Sequence, residues 1–438
     1  MYCRKKFILF ILSLLFATTM NSQESYVVDL IDSIADSEHY IGEQIENPTP
    51  RWEDAVRAKL NAAALDADHY HFNTGISVYD LTAGMVLFGY NQQKMMRPAS
   101  TEKLLTAITA LDLLGADHFY STNVYACGDI VTQEDGSKIL NGDIYVVGDF
   151  DPKLELTDIH LMAGAIAENG IHGITGKVFA DISMKDTLCL GNGWCWDDSQ
   201  PYLTPLSLTG SSYECKNVKI NRYNPALDFV SVLAKELNKK GITVSNGYGI
   251  RTLPRGGSVM LITKICHSIA EVLPKMMKKS DNLYAESMFY QLAADRKKNI
   301  SWKDCAAEVE KVIEKSGAST SYVEIADGSG ISLYNYVTPS TQVAMLRYAY
   351  NNKLIFSALY PSLPIAGIDG TLSSRMGNGK AYKNVHAKTG TVSGVSCLAG
   401  YVTASNGHIL AFSIMNNGVR KAAEGKAFQD RICCILTE

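Results

Sequence analysis

Three short segments carry side chains that together could do acyl chemistry. The first is Pro98-Ala99-Ser100-Thr101-Glu102-Lys103, which sets a hydroxyl and an amine three residues apart. A serine hydroxyl is a poor nucleophile until a base takes its proton. A lysine is a base only when neutral, and burial and the positive end of a helix both push it that way. The second is Lys279-Ser280-Asp281-Asn282, with another hydroxyl and an amide able to hold a substrate amide. The third is Lys388-Thr389-Gly390-Thr391, a cation and two hydroxyls suited to a substrate carboxylate. Each is weak alone. About two copies of Ser-x-x-Lys arise by chance in a chain of this length. Ser280 or Asp281 could be a plain helix cap, and Lys388–Thr391 a turn leaving a strand. A stray Ser121-Thr122-Asn123 shows how easily Ser-x-Asn occurs. It falls in an expected strand just after the first segment and is set aside.

The elements that must position these groups can be read from periodicity. Leu104, Leu105, Ile108, Leu111 and Leu114 recur at helical spacing after Pro98, and Gly115 sits where a C-terminal cap belongs. Ser100 and Lys103 then share one face of the first turn. Before them, helices are expected over Tyr26–Glu46 and Trp52–Ala67, and paired strands over Gly75–Asp80 and Met85–Tyr90. Residues 118–258 change texture. Short strands are expected at Thr122–Ala126, Ile139–Val147, Gly176–Asp181, Asn217–Ile220 and Ile242–Thr252, with helices at His160–Asn169 and Ala226–Lys239. From Leu261 helices dominate: Ile269–Lys278, Leu283–Asp295, Trp302–Ser316 and Thr338–Asn351. Strands at Asn384–Lys388, Ser396–Ala404 and His408–Met415 and a helix at Val419–Leu436 close the chain. The last strands can join the early hairpin in one sheet. The expected class is α+β, with a discontinuous outer domain (23–117 and 259–438) and an inserted α+β domain (118–258).

In chain order, Ser-x-x-Lys, Ser-Asp-Asn and Lys-Thr-Gly form the signature of penicillin-binding proteins and serine β-lactamases. In that scheme Ser100 attacks a carbonyl and Lys103 takes its proton. Ser280 relays a proton, Asn282 holds the substrate amide, and Lys388, Thr389 and Thr391 meet its carboxylate. The N–H groups of Ser100 and Thr391 would form the oxyanion hole. The chain further resembles the D-alanyl-D-alanine carboxypeptidase/endopeptidase family of penicillin-binding protein 4 type. The match rests on Pro98–Lys103, Gly148-x-x-Asp151-Pro152, Trp194-x-Trp196-Asp197-Asp198, Asp327-Gly328-Ser329-Gly330, Gly370-Thr371-Leu372 and Lys388–Thr391. The long stretch between the first two catalytic segments is typical of that family and absent from β-lactamases. The resemblance implies a mainly antiparallel sheet flanked by helices, and a serine D,D-peptidase acting on peptidoglycan stem peptides. It also implies β-lactams as covalent inhibitors, Asp151 among the substrate-binding residues, and no metal or organic cofactor. One departure concerns substrate. Relatives usually carry Arg after Asp-Gly-Ser-Gly-Leu-Ser, near the pocket for a free side-chain carboxylate, whereas Leu333 stands here. The insertion is also shorter than in the largest relatives.

Two other functions fit the same three motifs less well. A β-lactamase needs a positioned base for water, and no Glu-bearing loop can be assigned to that role. A silent wall-binding or β-lactam-sensing protein would not need so complete a set of reactive side chains.

Bulk properties narrow the setting. With 438 residues the chain exceeds one ordinary core. Its 41 basic and 45 acidic residues, net charge −4, give no sign of a nucleic-acid partner. Arg4, Lys5 and Lys6 precede the apolar run Phe7–Phe16, and small residues follow, as in a secretory signal of about residues 1–22. Export to the periplasm is therefore expected. Of ten cysteines, nine remain after Cys3, an odd number scattered without a Cys-x-x-Cys pair. That is no disulfide framework. His69 and His71 form the tightest histidine pair, with no second ligand cluster beside them.

Overall fold

The computed structural model describes residues 51–66, 72–195, 203–208, 224–294 and 298–438. The signal segment, the Tyr26–Glu46 helix, the His69–His71 pair, the Asn217–Ile220 strand and Trp196-Asp197-Asp198 lie outside them. The unit described below spans Glu53–Glu438.

Helix α1 (Trp52–Asp66) buries Val56, Leu60, Ala63 and Ala64 on one face. The alternating stretch Asn73–Asp80 forms β1, which turns into the antiparallel β2 (Met85–Tyr90). The chain then enters a 3-10 turn at Ala99–Thr101 and helix α2 (Glu102–Leu113). Every residue of α2 from Glu102 to Leu111 is buried, polar ones included. A helix enclosed on all sides belongs at the centre of a core. Gly115 adopts φ 84° and its N–H returns to the Ala110 carbonyl, which ends the helix.

Next come β3 (Phe119–Thr132), β4 (Lys138–Val147), α3 (Leu156–Glu168), β5 (Ile171–Ile174) and β6 (Val178–Asp181). After them follow α4 (Pro225–Lys239), β7 (Thr243–Val244), β8 (Tyr248–Ile250) and β9 (Val259–Ser268). These strands make a mixed sheet ordered β7-β5-β4-β3-β9, with β6 beside β4 and β8 beside β6. Helices α3 and α4 cover a core of their own around Ile144, Ile159, Phe229 and Leu233. Strand β9 pairs antiparallel with β3 from Phe119↔Ser268 to Cys127↔Val259, so this sheet runs past the expected boundary at 258. The stretch Val259-Met260-Leu261-Ile262 is continuously apolar, and periodicity does not separate such a run from a helix.

The rest returns to the first sheet through α5 (Ile269–Lys278), α6 (Asn282–Gln291), α7 (Trp302–Lys315), α8 (Pro339–Asn351) and α9 (Lys353–Ser362). Helix α9 was not anticipated. Asn352, which reads as a terminator of α8, instead caps α9 by accepting from the N–H groups of Leu354 and Ile355. Strands β10 (His386–Val392), β11 (Val395–Thr403) and β12 (Ile409–Asn417) complete an all-antiparallel sheet ordered β10-β11-β12-β1-β2, and α10 (Ala422–Leu436) ends the chain. Nearly every residue of β11 and β12 is buried, as expected of strands covered on both faces. On one side the Ser413 hydroxyl donates to Gln342 of α8. On the other, Gln429 of α10 donates to the Ser396 hydroxyl. The architecture is the expected α+β arrangement of an antiparallel sheet flanked by helices.

Candidate active site

The 3-10 turn that carries Ser100 is held from several directions. The Arg97 N–H donates to Asn417 Oδ1 (2.8 Å), and Asn417 Nδ2 donates to the Arg97 carbonyl (3.1 Å), tying the turn to the end of β12. The Thr101 hydroxyl donates to the Pro98 carbonyl and accepts from Gln342 Nε2, both at 2.7 Å. Ala99 has φ 47°, a left-handed conformation that an alanine holds only under constraint. Two glycines press on it. A methyl group on Gly330 would collide with the Ala99 carbonyl. One on Gly390 would lie 2.6 Å from the Pro98 oxygen and 3.1 Å from the Ser100 nitrogen. β10 is the edge strand of its sheet, and glycine lets it pass directly against the serine turn.

Lys103 is wholly buried one turn on. Its Nζ lies 3.0 Å from Ser100 Oγ, 2.7 Å from Asn282 Oδ1 and 2.7 Å from the Ser329 carbonyl. The two carbonyl oxygens can only accept, whereas the serine hydroxyl can donate. A neutral amine therefore fits all three contacts, with two N–H groups for the carbonyls and a lone pair for the Ser100 proton. Burial pushes the Lys103 ammonium down to about 8, against the pull of the Asp327, Glu286, Asp281 and Glu102 carboxylates.

Asp281 caps α6 by accepting from the Tyr284 N–H, which places Asn282 in the first turn. Asn282 Oδ1 is turned to Lys103, and among the described residues its amide nitrogen has no hydrogen-bond partner, which leaves its N–H groups for a substrate carbonyl. Ser280 precedes the cap at φ 59°, another strained non-glycine position. Its hydroxyl accepts from Lys388 Nζ (2.8 Å), and Lys388 also donates to the Thr389 carbonyl (2.8 Å). Lys388 is as buried as Lys103. Desolvation first, and then the Lys103 charge, hold it well below the usual lysine range. The Thr389 hydroxyl meets that of Thr371 at 2.7 Å, and Thr391 is exposed farther along β10. The arrangement offers a hydroxyl beside a depressed amine, a second such pair, a free amide and an open strand edge.

The family model of the D-Ala-D-Ala carboxypeptidase 3 (S13) family matches residues 56–209 and 203–438. The chain belongs to this family. Among relatives of this carboxypeptidase family, the D-alanyl-D-alanine carboxypeptidase of Actinomadura sp. (strain R39) is 28% identical over 83% of this chain and 81% of its own length. D-alanyl-D-alanine carboxypeptidase DacB of Haemophilus influenzae is 26% identical over 79% of this chain and 85% of its own. The crystal structure of penicillin binding protein 4 (dacB) from Haemophilus influenzae matches with a TM-score of 0.74 and 25% identity, covering 85% of this chain and 97% of that one. Its complex with a novel β-lactam matches with a TM-score of 0.67, 26% identity and the same coverage.

Within this carboxypeptidase fold, Ser100, Lys103, Ser280, Asn282, Lys388 and Gly390 converge, with Thr389 and Thr391 on the adjoining strand. Asp151 does not join them. Its carboxylate is enclosed and accepts from His267 Nδ1 (2.8 Å) and the Lys153 N–H (2.9 Å). It ties the Gly148–Pro152 turn to β9. Several contributors escaped the motif reading. Asp327 gathers the N–H groups of Gly330 and Ser332, Asn335 Nδ2 and Trp194 Nε1 within 2.8 Å, and so shapes the loop that offers the Ser329 carbonyl. Glu286 accepts from the Ser329 N–H at 2.9 Å. Among the described residues, buried Glu102 has no hydrogen-bond partner for either oxygen, and burial holds its carboxyl well above the usual range. Asp327, Trp194 and Glu102 stand in matched segments that give them no stated role, and Glu286 stands four residues after Asn282, on the same helical face.

Proposed function

We propose that this chain is an exported serine D,D-peptidase that cuts the D-alanyl-D-alanine end of peptidoglycan stem peptides through an acyl-enzyme on Ser100. One observation carries this reading: Lys103 Nζ lies 3.0 Å from Ser100 Oγ while its other contacts are carbonyl oxygens. As the Ser100 oxygen bonds to the penultimate D-alanine carbonyl carbon, its proton passes to Lys103. The N–H groups of Ser100 and Thr391 receive the oxyanion. The C–N bond then breaks, and the departing amine takes a proton relayed through Ser280 between the two lysines. Water opens the ester and restores the Ser100 hydroxyl. Asn282 holds the substrate amide, and Lys388, Thr389 and Thr391 hold the terminal carboxylate, with Gly390 giving them access. Asp151 acts at a distance, by fixing the turn that packs through Phe150 on Tyr290 of α6.

The same chemistry makes β-lactams covalent inhibitors at Ser100, in keeping with the β-lactam complex of the Haemophilus influenzae protein. Export rests on residues 1–22, and the inserted domain, running from β3 to the end of β9 at Ser268, supports the site. Leu333 supplies no cation for a free side-chain carboxylate. The test is incubation with purified muropeptides, with products identified by mass. The expected result is loss of terminal D-alanine by the native chain, while Ser100→Ala loses both this reaction and covalent capture of labelled penicillin. Unchanged pentapeptides, or penicillin retained by Ser100→Ala, would overturn the reading. Cross-linked dimers in the same mixture report endopeptidase action.

A further inference from the structure

A lysine base is only as well placed as the acceptors that hold it. Of the two carbonyl oxygens on Lys103, one belongs to Asn282 and the other to the Ser329 peptide. The N–H of Ser329 donates to Glu286 Oε1 (2.9 Å), and that of Gly328 donates to Oε2 (3.4 Å). Glu286 therefore holds the N–H of the same residue whose carbonyl, one Cα further along the chain, holds Lys103. It is 1% exposed, and it stands one turn beyond Asn282, so a single face of α6 carries both arms of the Lys103 cradle. The loop has no slack on this side, because a methyl on Gly328 would collide with Phe289. The Gly328 carbonyl in turn accepts from the Thr106 hydroxyl of α2 (2.7 Å), locking the loop to the helix of Ser100 and Lys103.

We infer that Glu286 is a positioning residue that sets the Lys103 amine through the backbone of Ser329, holding its N–H while its carbonyl holds the amine. This rests on the serine-peptidase reading above, and it assigns Glu286 no contact with substrate. The charged groups that face Lys103 are Glu102 on its own helix, Asp281 and Glu286 on α6, Asp327 on the loop and Lys388 on β10. Two carboxylates both pull on the ammonium and hold the backbone around its acceptor: Asp327 takes the Gly330 N–H and Glu286 the Ser329 N–H. Burial and the neighbouring Asp327 charge push its own carboxyl up to about 8.

The test is single-turnover acylation by a fluorescent penicillin, followed against pH, in the full-length native chain, Glu286→Gln and Glu286→Ala. Gln keeps an acceptor for the loop and removes the ionisable group. Its maximal acylation rate should stay near native, while the pH profile shifts to lower pH around pH 8, where Glu286 is partly ionised and pulls on the ammonium. Ala leaves two buried N–H groups without their acceptor, and the acylation rate constant should fall about 10-fold to 100-fold, with non-covalent affinity unchanged. If Glu286→Ala does not fold, as judged by near-ultraviolet circular dichroism, the Gln variant decides alone. Native rates and an unmoved pH profile in the folded variants would overturn the proposal and leave the peptidase reading intact. A fall in Glu286→Gln as deep as that of Ala would overturn it too. Failure of the native chain to be acylated would instead overturn the parent reading.

Discussion

Two buried pairs of ionisable groups, one on each sheet, meet opposite fates. Beside the five-stranded sheet, Lys103 and Lys388 are surrounded by carbonyls and hydroxyls at 2.7–3.0 Å. On the seven-stranded side, Asp151 and His267 face each other at 2.8 Å as opposite charges. Burial raises the Asp151 carboxyl, and the bond to Asp151 raises His267. The proton between them is held by both partners and serves the packing of β9. Around Lys103 the direct bonds come from neutral oxygens, and its carboxylates stand back behind them. Its proton is therefore weakly held and can be exchanged with a substrate. Neutral neighbours make a buried group reactive, and a counter-charge in direct contact makes one inert.

The comparison is most severely tested at Lys103. Lys103→Ala should lower penicillin acylation about 10³-fold to 10⁴-fold, within the range ascribed to general bases. The native rate should climb with pH toward about 8, because the neutral amine is the active form, and fall about tenfold per unit below that. A profile flat from pH 6 to 9 would break the comparison. A smaller effect is expected at Trp194, whose indole crosses from residues 118–258 to Asp327 (2.8 Å). Trp194→Phe should slow acylation about tenfold while leaving non-covalent affinity alone, as measured by stopped-flow fluorescence. Native acylation would show that this bond is incidental to the site. The smallest effect belongs to His267→Gln, which should leave acylation unchanged and lower the melting midpoint by a few degrees at pH 6. The sign follows from linkage. A histidine raised in the folded state stabilises most below its unfolded value near 6.5, and this gain fades as pH rises through the folded value. The gap between native and variant should therefore shrink toward pH 8.

What could be read from sequence was largely what lies near in sequence or repeats. The α2 leucines, the β1–β2 hairpin and the three polar motifs each have local signatures, and the structure gathers the motif side chains around one point. Contributions made through backbone groups had none. Nothing in the residue type of Ser329 says that its carbonyl holds Lys103, and the matched motif around Asp327 does not reveal the four donors that converge on its carboxylate. Strand β9 and helix α9 were hidden for different reasons: one is an apolar run without alternation, the other starts at an asparagine that looks like an ending. Asp151 belongs to a matched motif, yet its carboxylate turns inward, which no spacing reveals.

The two glycines against the serine turn also bear on how this protein can change. Gly330 touches the Ala99 carbonyl, and Gly390 touches the Pro98 carbonyl and the Ser100 nitrogen, so neither position accepts even one added carbon without moving the nucleophile. Variation in what the enzyme accepts cannot be built up methyl by methyl beside Ser100. It has to accumulate farther out, on side chains such as Leu333 and Tyr334, 40% and 55% exposed just beyond the Asp327 loop, where a substitution leaves the reacting atoms in place. The inner site has no room for added atoms, and room for new side chains lies at its rim.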